Sequence, residues 1–257
     1  MNSIRRPAAL LLTAMLLLAP GWAVASSGEA KKVDWSFDGP FGKFDRPQLK
    51  RGFQVYKEVC AACHSIKYVH YRNLGEAGGP EFSEAEVKAI AAEATVSDGP
   101  NADGEMFDRP GEPKDKVARP HPNDNAARAA NNGAMPPDLS LMTKARKDGV
   151  NHLYSILTGY SEPPEGVTMA DGMLYNPYFA GGQIAMPTPL TDDQVEYADG
   201  TAATVDQMSR DVTAFLTWTA EPKLEHRKSL GLKVMIFLTL FAGLLYVSYR
   251  RVWKDLH

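Results

Sequence analysis

Cysteine is scarce in this sequence. Only Cys60 and Cys63 occur among its 257 residues. This scarcity excludes a small domain held together by several disulfides, as well as a zinc site built from four cysteines. Any cysteine chemistry in the chain therefore has to take place within residues 60–63.

The sequence also lacks an excess of basic residues, and its formal net charge is -3. Six of the 28 Lys and Arg residues lie beside or within the two terminal apolar runs, which leaves 22 basic residues against 30 acidic ones in 26–229. Nucleic-acid binding depends largely on Lys and Arg that neutralise phosphates, so a nucleic acid is not an expected partner. A net charge of this sign suits the attraction of a basic protein instead.

Long apolar runs occur only near the two ends. In the first, Arg5 and Arg6 precede an apolar stretch at 8–19, and an Ala-Val-Ala sequence follows at 23–25. This order is typical of a cleaved secretory signal peptide, so residues 1–25 are predicted to direct export from a bacterial cell. A mitochondrial transit peptide does not fit, because Ser and Arg are few here.

The second run covers residues 230–249 and is long enough to cross a bilayer as a helix. Arg250, Arg251 and Lys254 follow it, which places the tail 250–257 in the cytoplasm by the positive-inside rule. The sequence thus predicts a periplasmic domain at 26–229, anchored in the bacterial inner membrane by one C-terminal helix.

The two cysteines form a C-x-x-C-H motif with His64. A disulfide and a thioredoxin-like redox pair use the same cysteine spacing, and a structural zinc site would need two further ligands. Covalent attachment of haem c explains every position, since two thiols can add to the two vinyl groups and the histidine can ligate the iron.

The segment before the motif favours haem over a thioredoxin-like pair. Leu49, Phe53, Tyr56 and Val59 recur at helical spacing, and Pro47 suits a first helical turn. A thioredoxin-like motif is expected after a strand in a β/α pattern. A helix leading into the motif is therefore predicted.

A six-coordinate haem needs a second axial ligand, and two methionines lie beside prolines in predicted loops, Met135 and Met186. Local chemistry does not separate them. Position does, because a helix is predicted from about 204 to 218, with Thr204 and Gln207 as a capping box. In class I cytochromes c the methionine loop shortly precedes the C-terminal helix, which packs across the N-terminal one. Met186 has that placement.

In these features the chain resembles the cytochrome c1 family, whose members are the haem subunits of ubiquinol–cytochrome c oxidoreductase. The resemblance covers about 33–252 and is carried by RGFQVY at 51–56, CAACHS at 60–65, DGPN at 98–101, GEMF at 104–107, AARAANNG at 126–133, PPDLS at 136–140, LTGY at 157–160, NPYF at 176–179, the Met186 loop and AEP at 220–222. One departure is that a second cysteine pair, present in some bacterial relatives, is missing here.

The resemblance implies one covalent haem c on Cys60 and Cys63, with His64 and Met186 as iron ligands. It implies that Arg128 lies near a haem propionate, whereas Met135 serves packing. The expected fold is mainly α, a class I cytochrome c-like haem domain with long loops at 97–125 and 159–190, plus the C-terminal transmembrane helix.

The implied function is electron transfer from the Rieske iron–sulfur protein to a soluble c-type cytochrome, beside cytochrome b in the membrane. A haem peroxidase with an open sixth site and a purely structural haem subunit are the competing classes. Residues 81–115 are predicted either to guide a basic acceptor or to form a solvated loop. They hold ten acidic side chains: Glu81, Glu84, Glu86, Glu93, Asp98, Asp103, Glu105, Asp108, Glu112 and Asp115.

One more expectation concerns the segment that joins the last exported helix to the anchor. Residues 221–228 are polar and contain Pro222. Such a composition is typical of a domain boundary with few core contacts.

Overall fold

The computed structural model of the protein describes residues 28–254. The predicted signal peptide and the end of the C-terminal tail lie outside the described residues. In chain order the helices are α1 (Arg46–Glu58), α2 (Glu84–Ala92), α3 (Asp124–Ala130), α4 (Gly149–Leu157), α5 (Val205–Ala220) and α6 (Leu224–Val252). Short 3-10 turns cover Cys60–Ala62, Tyr71–Gly75 and Ala180–Gly182. The prediction of a mainly α fold with one long apolar C-terminal helix is confirmed.

Four short strands form two antiparallel pairs, which lie mostly within the predicted loops at 97–125 and 159–190. Strand β1 (Thr95–Asp98) pairs with β2 (Phe107–Pro110), and β3 (Leu174–Tyr175) pairs with β4 (Gln183–Ile184). The long loops are thus less irregular than the sequence indicates. In the first pair, Arg109 lies opposite Val96, and its guanidinium bonds diagonally to Asp98, which lies opposite Phe107.

The core centres on the crossing of α1 and α5. Helix α1 begins at the N-cap Asp45, whose carboxylate accepts a hydrogen bond from the Gln48 amide. It buries Leu49, Phe53 and Tyr56, the face predicted from the periodicity. Helix α5 buries most of its circumference, with Phe215 and Trp218 almost wholly enclosed. The predicted N-cap at Thr204 is confirmed, since its hydroxyl accepts from the Gln207 amide. The capping box is not completed, because the Gln207 side-chain amide donates to Asp211 Oδ1 instead.

Gly52 makes this close crossing possible. A Cβ at this position would lie 2.0 Å from the Asp211 carbonyl oxygen and 2.7 Å from the Phe215 Cβ. Beside it, the Arg51 guanidinium bonds the fully buried Asp211 carboxylate and also Asp199. Backbone contact and a bidentate ion pair therefore fix the angle between the two helices.

Replacing Gly52 with alanine is expected to destabilise the haem-loaded protein by about 1–3 kcal/mol, because the added methyl group overpacks a helix crossing. Denaturant unfolding followed by far-ultraviolet circular dichroism measures the change. The matched control is Gly231→Ala, another helical glycine, where a Cβ meets nothing within 4 Å. Equal unfolding midpoints for the two variants would contradict this account of the crossing.

Helix α6 begins earlier than the predicted membrane segment. It runs without a break over 29 residues from Leu224 to Val252 and is long and apolar enough to cross a membrane. Its side chains from Leu230 onward are exposed, whereas Leu224 is buried in the domain core.

The expectation that residues 221–228 make few core contacts is wrong. Glu225 accepts two hydrogen bonds from the Arg46 guanidinium, at 2.6 and 2.9 Å, and a third from the Phe44 amide. Lys228 donates to the Phe37 carbonyl oxygen. The polar side chains that suggested a solvated linker instead bond to the domain, so the first turns of α6 belong to its fold.

Candidate functional site

The C-x-x-C-H motif directly follows α1 and forms one tight turn. The 3-10 helix Cys60–Ala62 lets the Cys60 carbonyl oxygen accept from the amides of both Cys63 and His64, at 3.1 and 2.9 Å. Both thiols are free, with Cys60 half-buried and Cys63 exposed. The turn therefore gathers two reactive thiols and an imidazole within five residues.

The His64 ring is oriented by a residue far away in the sequence. Its Nδ1 lies 2.8 Å from the Pro137 carbonyl oxygen. A carbonyl oxygen only accepts hydrogen bonds, so Nδ1 carries the proton and Nε2 keeps its lone pair for a metal. Burial lowers the pKa of His64, against the opposing effects of the Pro137 carbonyl and the Asp138 carboxylate. The neutral imidazole, which is the metal-binding form, is thereby favoured.

Asp138 ties the Pro137 segment to the motif. Its carboxylate accepts from the Ser65 hydroxyl at 2.7 Å and the Lys67 amide at 2.8 Å. Burial alone would raise the pKa of Asp138, but these bonds, together with those from Ser140, hold it below its usual value. The Tyr56 hydroxyl donates to the His64 carbonyl oxygen and adds a further brace from α1.

Sequence reasoning missed the roles of Pro137, Asp138 and Tyr56. The first two lie in the PPDLS stretch that carries the resemblance, and Tyr56 lies on the predicted helix face. Pro137 and Asp138 contact residues 64–67, which lie more than 70 positions away along the chain. Tyr56 contacts His64 from the other side of the turn. No local pattern reports such pairs.

Met186 lies half-buried in the loop after β4. The Tyr160 hydroxyl donates to its carbonyl oxygen at 3.1 Å, and the buried Ile184 and Leu190 flank it along the chain. Burial raises the pKa of Tyr160, which keeps this hydroxyl protonated as a donor. The loop is thus held at its backbone rather than through the Met186 side chain.

Met135 and Arg128 precede Pro137 by a few residues, whereas Met186 lies about 50 residues after it. Met135 is 37% exposed. Arg128 lies in the last turn of α3, is exposed, and donates to the Gly133 carbonyl oxygen at 3.4 Å. Within residues 28–254 it forms no ion pair. Of the five predicted site residues, the turn brings Cys60, Cys63 and His64 together, and no hydrogen bond joins Met186 or Arg128 to them among the described residues.

The donor set fits a covalent haem c better than the alternatives. In the described part of the chain, no group of three or more His, Cys, Asp or Glu side chains is placed to hold a metal ion. Two thiols and an imidazole with its Nδ1 proton already bonded are the groups that haem attachment requires. The residues therefore suit a macrocycle with one histidine ligand supplied by the same turn.

The acidic segment carries less free charge than its composition suggests. Six of the ten carboxylates are in ion pairs: Glu81 with Arg46, Glu84 with Lys88, Glu93 with Lys57, Asp98 and Asp115 with Arg109, and Glu112 with Lys114. The Arg109 guanidinium lowers the pKa of Asp115 to about 2. In the described chain Glu86, Asp103, Glu105 and Asp108 form no ion pair, and the last three cluster around the β1–β2 turn.

Comparison with known proteins gives a consistent result. The model of the Cytochrome C1 family matches residues 35–256. Cytochrome c1 of Rhodospirillum rubrum is 48% identical over 265 residues, covering 96% of each chain. Cytochrome c1, heme protein, mitochondrial, of Saccharomyces cerevisiae is 50% identical over 225 residues, covering 87% of this chain and 72% of the yeast protein.

A longer relative is also similar. Cytochrome b/c1 of Bradyrhizobium diazoefficiens is 53% identical over 242 residues, which cover 87% of this chain. The chain spans only about a third, 35%, of the length of that relative.

Proposed function

The chain belongs to the cytochrome c1 family, and from this premise we propose that His64 and Met186 ligate the iron of its haem and that it passes electrons to a soluble acceptor. The family is the haem-carrying electron-transfer subunit of the bc1 complex, and its cofactor is covalent haem c. The observation that carries the ligand proposal is the hydrogen bond from His64 Nδ1 to the Pro137 carbonyl oxygen.

Bound haem c supplies reversible one-electron chemistry at the iron. The Cys60 and Cys63 sulfurs would hold the group covalently, and His64 Nε2 would ligate its iron. Pro137 fixes the ring orientation of His64 and makes its nitrogen a stronger donor, as outer hydrogen-bond partners of metal-bound histidines do. The Met186 thioether would complete the ligand set, and a methionine ligand together with histidine would favour a high potential.

The tethered Met186 loop supports a closed carrier over the competing peroxidase class. A peroxidase needs a sixth position that is open or readily displaced. The test is a spectrum of the reduced membrane-bound protein with and without carbon monoxide. Little spectral change supports two protein ligands, whereas ready carbon monoxide binding would favour an enzyme with an open site.

The exposed guanidinium of Arg128 is proposed to bond a haem propionate. Its charge has no carboxylate partner among the described residues, which suits an acidic partner supplied by a cofactor. Because a nearby positive charge favours the reduced haem, Arg128→Gln is expected to lower the midpoint potential by tens of millivolts. Arg146→Gln, at an exposed arginine that bonds only its neighbour's carbonyl oxygen, is the control. Equal potentials in the two variants would leave Arg128 as a surface charge.

The proposed partners are cytochrome b and the Rieske iron–sulfur protein within the complex, and a soluble c-type cytochrome outside it. The proposed location is the bacterial inner membrane with the haem domain in the periplasm, reached through the signal peptide 1–25. Support comes from the single helix α6, the positive residues after it, and the bacterial relatives.

The β1–β2 turn is the proposed source of the field that attracts the acceptor. Neutralising Asp103, Glu105 and Asp108 together, as Asn, Gln and Asn, is expected to slow reduction of a basic acceptor cytochrome several-fold at low ionic strength. The difference should shrink as salt rises, because exposed charges are screened within about 8 Å at physiological ionic strength. Stopped-flow kinetics across a salt series measures it.

The control for this experiment neutralises two complete ion pairs, Glu84 with Lys88 and Glu112 with Lys114, so that the net charge does not change. It should alter the rate much less. If the triple variant reacts as fast as the unsubstituted protein at low salt, the acceptor docks elsewhere.

A further inference from the structure

The segment 36–43 forms a tight turn that exposes one aromatic side chain. The Lys43 amide donates to the Ser36 carbonyl oxygen at 3.0 Å, and a Cβ on Gly42 would lie 2.0 Å from the Asp38 carbonyl oxygen. The side chain of Phe41, at the tip, is 73% exposed. The hydrogen bond and the close approach at Gly42 close the turn, and Phe41 lies on its outside.

The neighbouring aromatic residues of this segment behave differently. Trp35, Phe37 and Phe44 are all buried, with ring centroids 5.5 Å apart for the first two and 5.0 Å apart for the last two. They give the turn a rigid base in the domain core. Phe41 is thus the one aromatic residue of 35–44 that lies outside the core.

The turn is fastened to the start of the anchor helix. Lys228 Nζ lies 2.5 Å from the Phe37 carbonyl oxygen and 3.5 Å from that of Gly42. On the other side, the Phe44 amide donates to the Glu225 carboxylate at 2.9 Å. These bonds fix the turn beside residues 225–228 of α6.

The exposed apolar surface of α6 begins directly after residues 225–228, beside which the turn lies. Leu230 and Leu232 are exposed apolar residues, and Leu230 lies only about 3 Å along the axis from Lys228. Phe side chains, like those of Trp and Leu, can insert at the boundary between headgroups and acyl chains, as they do in interfacial helices. The exposed Lys43 adds a positive charge at the same level, while the exposed Asp38 opposes it.

We propose that the turn 36–43 is a second membrane contact, in which the Phe41 ring lies in the interfacial layer of the bilayer. The partner is the lipid surface, and the contact fixes the tilt of the haem domain on its anchor. This inference rests on α6 spanning the membrane.

The test places a nitroxide label at Phe41→Cys in the intact, haem-loaded complex in lipid nanodiscs. Haem attachment consumes Cys60 and Cys63, and the unsubstituted complex taken through the same labelling gives the background. Power saturation then compares relaxation by oxygen, which concentrates in lipid, with relaxation by a water-soluble nickel chelate. A nitrogen-equilibrated sample supplies the baseline.

The aqueous control is Met106→Cys, also exposed and apolar, in the β1–β2 turn. Lys57, at the end of α1 remote from Arg46, pairs with Glu93 just before β1. Helix α1 has 13 residues and is therefore about 20 Å long. Its Lys57 end, which contacts the segment that leads to the control position, is thus about 20 Å along the helix from its Arg46 end, which contacts α6. Labels at Leu238 and Leu240, on opposite faces of α6, test the anchoring separately.

The expected result is oxygen relaxation above nickel relaxation at position 41, with the opposite order at position 106. Nickel relaxation in excess at both positions would overturn the proposal by showing water around Phe41. Low accessibility to both reagents at position 41 would overturn it in favour of cover by another subunit. If neither Leu238 nor Leu240 reports lipid, both the anchoring and this inference fail. A lipid signal on α6 without one at position 41 removes the inference alone.

Discussion

Replacing Met186 with leucine is expected to lower the midpoint potential of the haem by on the order of 0.2 V, while the haem stays covalently attached. Axial ligands set haem potentials over a range of about 0.8 V, and methionine opposite histidine lies towards its upper part. Leucine has a similar volume but no sulfur lone pair. The flanking Ile184 and Leu190 remain buried, and the bond from Tyr160 reaches the backbone, so the loop is retained.

The matched control is Met135→Leu. Met135 is 37% exposed and also precedes proline, so it shares the local chemistry of Met186. Redox titration of both variants in membranes should show a large drop for Met186→Leu and little change for Met135→Leu. Equal shifts in the midpoint potential, or a larger shift for Met135→Leu, would show that the assignment of Met186 as the second iron ligand is wrong.

Truncation after Ser229 is expected to release a soluble, haem-loaded domain, whereas truncation after Pro222 should yield a much less stable one. The shorter form loses the buried Leu224, the pair between Glu225 and Arg46, and the bond from Lys228 to Phe37. Burial of the leucine contributes about 1.5–3 kcal/mol. The partly exposed ion pair adds about 1 kcal/mol or less.

Together these losses should lower the thermal unfolding midpoint by about 10 °C, since 1 kcal/mol corresponds to about 2–4 °C in a domain of this size. The measurement is the haem spectrum of the soluble fraction and a melting curve of each form. Both forms should lose quinol-driven reduction, because the donor is no longer held nearby. Equal melting temperatures would show that residues 223–229 lie outside the fold after all.

The parts of the structure that sequence predicted are those set by local spacing. Leu49, Phe53 and Tyr56 recur with the helical period, and Thr204 precedes α5 as an N-cap, so both helices follow from propensity and burial. The haem motif is equally local, since five consecutive residues supply both thiols and the imidazole. The position of Met186 shortly before α5 also favoured it over Met135 as the second ligand.

The contacts that sequence did not predict join distant residues. Pro137 orients His64 across 73 positions, and Gly52 receives the Asp211 backbone across 159. Lys228 reaches Phe37 across 191 positions. Each depends on the final packing of helices, and a polar residue such as Glu225 has the same local pattern whether it is solvated or paired.

The central claim is that this chain is the haem subunit through which quinol electrons leave the bc1 complex. The most direct measurement is purification of the tagged full-length chain from its native membranes in mild detergent, followed by addition of ubiquinol. The account predicts that a b-type cytochrome and an iron–sulfur protein co-purify, and that ubiquinol reduces the c-type haem, which then reduces a soluble cytochrome. A haem-loaded chain that purifies alone and stays oxidised with ubiquinol would contradict it.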